Sequence, residues 1–322
     1  MSGSQKNKLL IIGPNGIGRV FIRLCQQYGD TIAGVIASSP PSSNDFVNRY
    51  NSLDSGNRAR AFSYFREALE ATEFDGVVIA SPAGSHYGFL SQALQAGLPV
   101  LCEKPLISFD GEVEENLLAL SAFDDQAQLI FNASNHHFVE QLPGLADAVQ
   151  KAKSFVFKFH SNGQHTHQKI IEDLLPHCVS FLQKLVGDFS AELTTCTVEA
   201  HAATGTFSYG PINVSFDFAQ GATANKTLAF GCENNIYLRH QSGQGESYQV
   251  STVGPLRSTN DAVGEQEFIA QVDPFETSYN RFRNLMDRKD DTQPSSDLSW
   301  AIANHRICLS LLRQIKTQRG AP

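Results

Sequence analysis

Apolar positions in the first 132 residues come in short unbroken runs separated by stretches with helical spacing. Leu9-Leu10-Ile11-Ile12 is a continuous run closed by Gly13, Ile17 to Gln27 is spaced as a helix, and Thr31 to Ala37 is a second strand. Asp75 to Ala80 is a third, ending at Ser81-Pro82, and His86 to Ala96 reads as a helix that Gly97 stops. Pro99 to Cys102 and Leu129 to Phe131 complete the set. Strands that are apolar on both faces and separated by helices form a parallel sheet covered on both sides. Residues 1–132 are therefore expected to fold as a doubly wound α/β domain.

Over residues 133–322 the pattern changes. Phe155, Phe157 and Phe159 alternate with Val156, Lys158 and His160, and Ile212, Val214, Phe216 and Phe218 alternate with Asn213, Ser215 and Asp217. Such period-two runs recur to about Val253 and predict an α+β domain with a large, mainly antiparallel open sheet, apolar on one face and polar on the other. Helices are expected from about Asp173 to Leu185, with Pro176 in the first turn, and around Pro274 to Met286 and Asp297 to Ile315. Ser38 to Ser43 and Asp290 to Ser296 read as polar connectors.

Composition narrows the function. The chain has 322 residues, enough for two domains, and its 41% hydrophobic content supports a substantial core. With 25 Lys+Arg against 33 Asp+Glu the net charge is -8, so there is no general attraction to nucleic acid or anionic lipid, and neither is expected as a partner. Six scattered cysteines with no CxxC pair read as reduced thiols. No apolar stretch approaches the ~20 residues that span a bilayer, and the N-terminal residues lack a signal h-region. A cytoplasmic protein is the expectation.

Gly13-Pro14-Asn15-Gly16-Ile17-Gly18 lies between the first strand and the first helix. In a dinucleotide fingerprint the first glycine makes the turn, the second lets the backbone approach a pyrophosphate, and the third packs helix on strand. Asn15 holds the second place here, tolerating left-handed dihedrals, with Gly16 beside it. The second strand ends Ala37-Ser38-Ser39, with no carboxylate to repel a ribose 2′-phosphate and two hydroxyls able to bond one. A Rossmann domain is expected that takes either dinucleotide, with NADP(H) favoured over NAD(H).

At the ends of the next strands stand Ser81-Pro82-Ala83-Gly84-Ser85-His86 and Glu103-Lys104-Pro105. With these segments the chain resembles the glucose-fructose oxidoreductase, inositol dehydrogenase and rhizopine-catabolism (Gfo/Idh/MocA) family. That family has a strand ending in Pro with a His four residues on, then one ending in Glu-Lys-Pro. The resemblance extends over nearly the whole chain, with Asn132 to Phe138 at the crossing between domains, Asp173 to Gly187 at the active-site helix, and terminal helices that pack back on the sheet. It implies cofactor contacts from Ser81, Pro82, His86, Glu103 and Lys104, beside Gly13, Asn15, Gly16, Ile17, Gly18, Ala37, Ser38 and Ser39. It also implies a cis Lys104-Pro105 bond and a pair of substrate-pocket residues, Asp173 and His177.

The chemistry of those residues fits. Lys104 would present an ammonium at the carboxyl end of a strand, where open α/β sheets collect ligands. Asp173 and His177 stand i and i+4 on one helix face, so the carboxylate can orient and charge the imidazole as a general acid/base, while Leu174, Cys178, Phe181, Leu182 and Leu185 form the buried stripe. Where the family has a glycine-rich loop, this chain has His165, His167 and Lys169. These are expected to wall a pocket for an anionic or polyhydroxyl small molecule rather than to hold a metal, and the 132–137 segment lacks the family's usual basic residue.

The sequence thus reads as an NAD(P)-dependent dehydrogenase or reductase acting on a hydroxyl/carbonyl carbon of a sugar, cyclitol or sugar derivative, with Lys104 and His177 handling the proton. The uncovered polar sheet face predicts a homodimer or dimer of dimers. The alternatives are reduction of a C=N bond in a natural-product intermediate, or a ligand sensor that binds dinucleotide without turnover.

Overall fold

The computed structural model describes residues 6–53, 56, 58–133, 139, 142, 144–221, 226–232, 235–242, 249–256, 268–269, 273–287 and 296–320. By internal packing the chain forms two units, Met1–Asn132 with Ser278–Ile302, and Ala133–Thr277 with Ala303–Pro322.

In the first unit, strands and helices alternate: β1 (Lys8–Ile12), α1 (Gly18–Gln27), β2 (Thr31–Ile36), α2 (Pro40–Leu53), β3 (Arg60–Ala61), α3 (Phe65–Ala71), β4 (Gly76–Ile79), α4 (His86–Gln95), β5 (Val100–Glu103), α5 (Val113–Ser121) and β6 (Leu129–Asn132). The six strands are all parallel, in the order β3-β2-β1-β4-β5-β6. Their apolar runs are buried on both faces, as a doubly wound sheet requires. Strand order reverses beside β1, and the crevice at the carboxyl ends of β1, β4 and β5 is where such sheets bind ligands. The connector expected at Ser38 to Ser43 is instead the start of α2. Pro40 and Pro41 fit a first turn, where amide donors are not needed, and the Ser39 hydroxyl accepts from Ser42 N at 3.4 Å.

The second unit holds α6 (Leu145–Ala152), β7 (Ser154–Ser161), α7 (Gln168–Val186), β8 (Ala191–Val198), β9 (Ala202–Tyr209), β10 (Ile212–Gln220), β11 (Thr227–Cys232), β12 (Asn235–Ser242), β13 (Gln249–Leu256) and β14 (Phe268–Ile269). Helices α8 (Pro274–Asp287) and α9 (Leu298–Gly320) each divide between the two units. The eight strands run β14-β13-β12-β11-β7-β10-β9-β8, antiparallel except for the β7–β10 pair. One face is aromatic. Phe181 of α7 meets Phe157 and Phe230 edge-on at 5.3 and 4.7 Å. Each such ring, fully buried, contributes about 1.5–3 kcal/mol by transfer alone.

Helix α7 starts at Gln168 rather than Asp173, which places Pro176 in its interior. An interior proline removes one backbone bond and costs about 3 kcal/mol in an exposed helix. Here every side chain from Leu174 to Gln183 is buried, and that packing outweighs the local cost. The Pro176 carbonyl accepts from Ser180 Oγ at 2.5 Å and from Asn304 Nδ2 of α9 at 3.2 Å. No disulfide joins any of the six cysteines, and no helix among the described residues is long and apolar enough to cross a membrane. Residues 134–138 and most of the expected 290–296 connector lie outside the described residues.

Candidate functional site

The β1–α1 turn is built from close backbone approaches. Gly13 N donates to Ile36 O at 2.9 Å, and Gly18 N donates to Asn15 O at 3.0 Å. A Cβ on Gly18 would lie 2.0 Å from the Gly13 carbonyl oxygen, and one on Gly13 would lie 2.6 Å from the Ala80 and Ser81 backbone. Only glycine fits either place. Gly16, at φ 56°, takes the left-handed step foreseen for Asn15, which is not among the positive-φ residues. Asn15 and Gly16 are exposed at the tip, Ile17 is half-buried, and no side chain caps α1. A helix start with uncapped amides, reached over bare backbone, fits a pyrophosphate.

At the end of β2, Ala37 N donates to Ser43 Oγ at 2.9 Å and Ser39 Oγ shares a 2.9 Å bond with Ser42 Oγ. Ser39 is thus engaged in opening α2, whereas Ser38 is exposed.

At the ends of β4 and β5 the side chains brace one another. His86 is fully buried, with Nδ1 2.8 Å from Pro105 O and Nε2 2.7 Å from Ser81 O. Burial lowers its pKa, against the raising effect of the two carbonyls, and the Lys104 charge adds to the lowering. This corrects the expected cofactor contact: both ring nitrogens are committed to protein carbonyls, and no ring atom reaches the surface. His86 instead ties the turn after β4 to the turn after β5. Ser81 Oγ bonds Ser85 Oγ at 2.7 Å, while Pro82 precedes the short turn that leads into α4.

Glu103 is buried and accepts from Asn132 Nδ2, while Asn132 Oδ1 accepts from Ser278 Oγ at 3.0 Å. The half-buried Lys104 follows, its N–H donating to Asn132 O at 3.2 Å, and its bond to Pro105 is cis. Asn132 and Ser278 carry no local sequence signal for this role, because the pairing spans distant parts of the chain.

In the second unit α7 carries Asp173, half-buried, and His177, which is buried with its ring 5.1 Å from that of Phe159. Asp173 Oδ2 accepts from Gln220 Nε2 at 2.5 Å, and Gln220 Oε1 accepts from His165 N at 3.1 Å. Gln220 is buried and leaves no space for a Cβ at Gly163. Gln220 is not among the site residues expected from the sequence. A signal existed: in the run Ile212, Val214, Phe216, Phe218, Gln220, it is the one polar residue in the apolar phase.

His165 and His167, two residues of the expected pocket wall, stand on the loop before α7, and the third, Lys169, is in its first turn. All three are exposed, and Lys169 Nζ bonds the Glu172 carboxylate of its own helix at 2.5 Å. The described cavity beside Phe159 holds about 270 Å³ and is lined by Phe159, His160, Ser161, Asn162, Lys226, Thr227, Leu228 and Arg239. None of the three expected residues is among them. His160 Nε2 lies 2.8 Å from Asp217 Oδ1, whose other oxygen takes Lys158 Nζ at 2.8 Å. Burial alone would raise the Asp217 carboxyl, but these two partners hold it below its usual value.

Residues 7–133 match the family model described as an oxidoreductase family with an NAD-binding Rossmann fold. In this domain the chain is similar to the Gfo/Idh/MocA oxidoreductases. An inositol 2-dehydrogenase of Leifsonia xyli is 36% identical over 97 residues, 30% of this chain and 28% of that protein. The NADP(+) scyllo-inositol 2-dehydrogenase IolU of Bacillus subtilis is 32% identical over 116 residues, 36% of this chain and 34% of that protein. These matches span about a third of the curated relatives' length. Among solved structures, a 3-ketoreductase of Actinomadura kijaniata in complex with NADP and TDP-benzene superposes with a TM-score of 0.67 at 16% identity, covering 97% of this chain and 98% of its own. An oxidoreductase of Thermotoga maritima gives 0.68 at 13% identity, covering 96% and 97%. The likeness of fold to these structures therefore extends through both units.

Proposed function

We propose that this chain is a dehydrogenase or reductase of a sugar, cyclitol or sugar derivative, using bound NADP(H) or NAD(H) to supply or accept a hydride. The observation that carries the reading is the placement of Lys104 directly beyond β5. There the Glu103–Asn132–Ser278 chain and the His86 brace hold its backbone at the ligand-binding end of the sheet. Inositol dehydrogenases among the relatives support a polyhydroxyl substrate. The β1–α1 turn would hold the pyrophosphate, and the Lys104 ammonium would hydrogen-bond the reacting substrate oxygen. His177 exchanges the proton of that oxygen, and Asp173 orients His177. Reduction of a C=N bond would ask the same of these residues. The test is a titration with both dinucleotides, then turnover on inositols and hexoses. Tight nucleotide binding with no turnover on any substrate favours a sensor.

NADPH is expected to bind at least as tightly as NADH. Ser38→Asp should move the preference towards NADH, because a carboxylate there repels a 2′-phosphate. Fluorescence titration checks both, and a clear NADH preference in the wild type would refute the first.

Gln220→Leu keeps the volume of the side chain but removes the bonds to Asp173 and the His165 amide. Turnover should fall about tenfold with NADPH affinity unchanged. Equal loss of both would instead mark a structural role.

The exposed Asn213 and Ser215 and half-buried Asp217 on the polar face of β10 fit an interface with a second copy of the chain. A dimer or dimer of dimers is expected at micromolar concentration, and a monomer in sedimentation would refute it.

A further inference from the structure

The cavity beside Phe159 carries a charge pattern that the chain as a whole opposes. It opens where the carboxyl end of β7 meets the start of β11 and Arg239 of β12: Thr227 pairs with His160, and Leu228 with both Phe159 and Arg239. Among the described residues lining it are two permanent cations, Lys226 and Arg239, with His160 and the polar groups of Ser161, Asn162 and Thr227, and no carboxylate. The protein has more acidic than basic residues and a net charge of -8, so this is the reverse of its average surface. Asp217 does not offset it. That carboxylate is not part of the lining, and its two oxygens are taken by Lys158 and His160.

One wall of the cavity is Phe159, whose ring touches the imidazole of His177. A molecule seated here therefore lies one aromatic ring away from the residue assigned to proton exchange. About 270 Å³ is near the lower end of ordinary ligand pockets and suits one small ring with a single substituent rather than a nucleotide. Arginine offers a planar pair of donors and lysine a mobile point charge, a combination that recognises oxyanions.

We infer that the substrate carries an oxyanion, a phosphate monoester or a carboxylate on a sugar or cyclitol, and that Lys226 and Arg239 bind it in this cavity. The inference deepens the proposed function and rests on it for the sugar or cyclitol part. The shared oxyanion chemistry is the claim; phosphate and carboxylate are separate arms of the test.

Calorimetry on the full chain, with and without saturating NADPH, would compare glucose, glucose 6-phosphate, glucuronate and inorganic phosphate. At least one of the two anionic sugars should bind about tenfold or more tightly than glucose. Lys226→Gln and Arg239→Gln should each reduce that preference about tenfold while leaving NADPH affinity unchanged. Lys226 is exposed, so its replacement tests the idea even if the Arg239 variant folds poorly. Equal binding of glucose and both anionic sugars overturns the inference, as does no binding of either anion at 10 mM, or a preference intact in the Lys226 variant. If inorganic phosphate binds as tightly as glucose 6-phosphate, the cavity holds free anions and the assignment to substrate fails. Because binding is read without turnover, absence of any redox activity would sink the proposed function and leave this result standing.

Discussion

Lys104→Ala and His177→Ala should each lower turnover by about 10² or more while changing NADPH affinity by no more than a few-fold. The expectation follows from placement. Lys104 stands at the end of β5 on a backbone held by other residues, so its ammonium can be removed without dismantling the turn. His177 packs against Phe159 within α7, and truncating it leaves a cavity, so its melting temperature must be measured beside its rate. Lys104→Arg should not restore activity, since a planar guanidinium cannot place one ammonium at the same point. Asp173→Asn should harm rate more than stability, because the amide keeps the shape and loses the charge. Turnover, NADPH affinity and melting temperature on the same four variants decide between catalytic and structural roles. Unchanged turnover in Lys104→Ala would end the proposed mechanism.

The second large effect is a loss of stability in acid. His305 of α9 is buried, and burial pushes its pKa down from 6.5 to about 3. The unfolded chain takes a proton near pH 6.5, whereas the folded chain keeps this imidazole neutral until about pH 3. Stability from this group is therefore complete above 6.5 and is lost progressively as pH falls from there. Between pH 7.5 and 4.5 the loss should be roughly 2–3 kcal/mol. His86, also shifted down by burial, acts in the same direction. Replacing His305 by Gln removes the titrating group, so urea unfolding of wild type and His305→Gln at the two pH values should show a smaller loss in the variant. Equal losses would mean that His305 titrates alike in both states.

Much of the fold was legible because its signals are local. Unbroken apolar runs between helical spacings announced the parallel sheet, and the Phe155, Phe157, Phe159 alternation announced the open sheet. Two local errors were of one kind. The local pattern places Pro40 in a connector and Pro176 at a helix start, yet one opens α2 and the other lies inside α7. Pro40 has no amide to lose in a first turn, and at Pro176 burial on all sides overrides propensity.

The sequence by itself determined which side chains share a face and which turns are glycine-bound. That nominates the β1–α1 turn, whereas Lys104 and the Asp173–His177 pair are nominated by the resemblance to the Gfo/Idh/MocA family. Tertiary structure decided which polar atoms meet. It turned His86 inward onto Ser81 and Pro105, set Gln220 between Asp173 and the 161–167 loop, and left His165, His167 and Lys169 exposed. It also drew the cationic lining from Lys226 and Arg239, far along the chain from His160. The physical reason is that periodicity reports burial, which depends on near neighbours. A hydrogen bond or a charged pocket depends on strand order and register, through which residues distant in sequence meet.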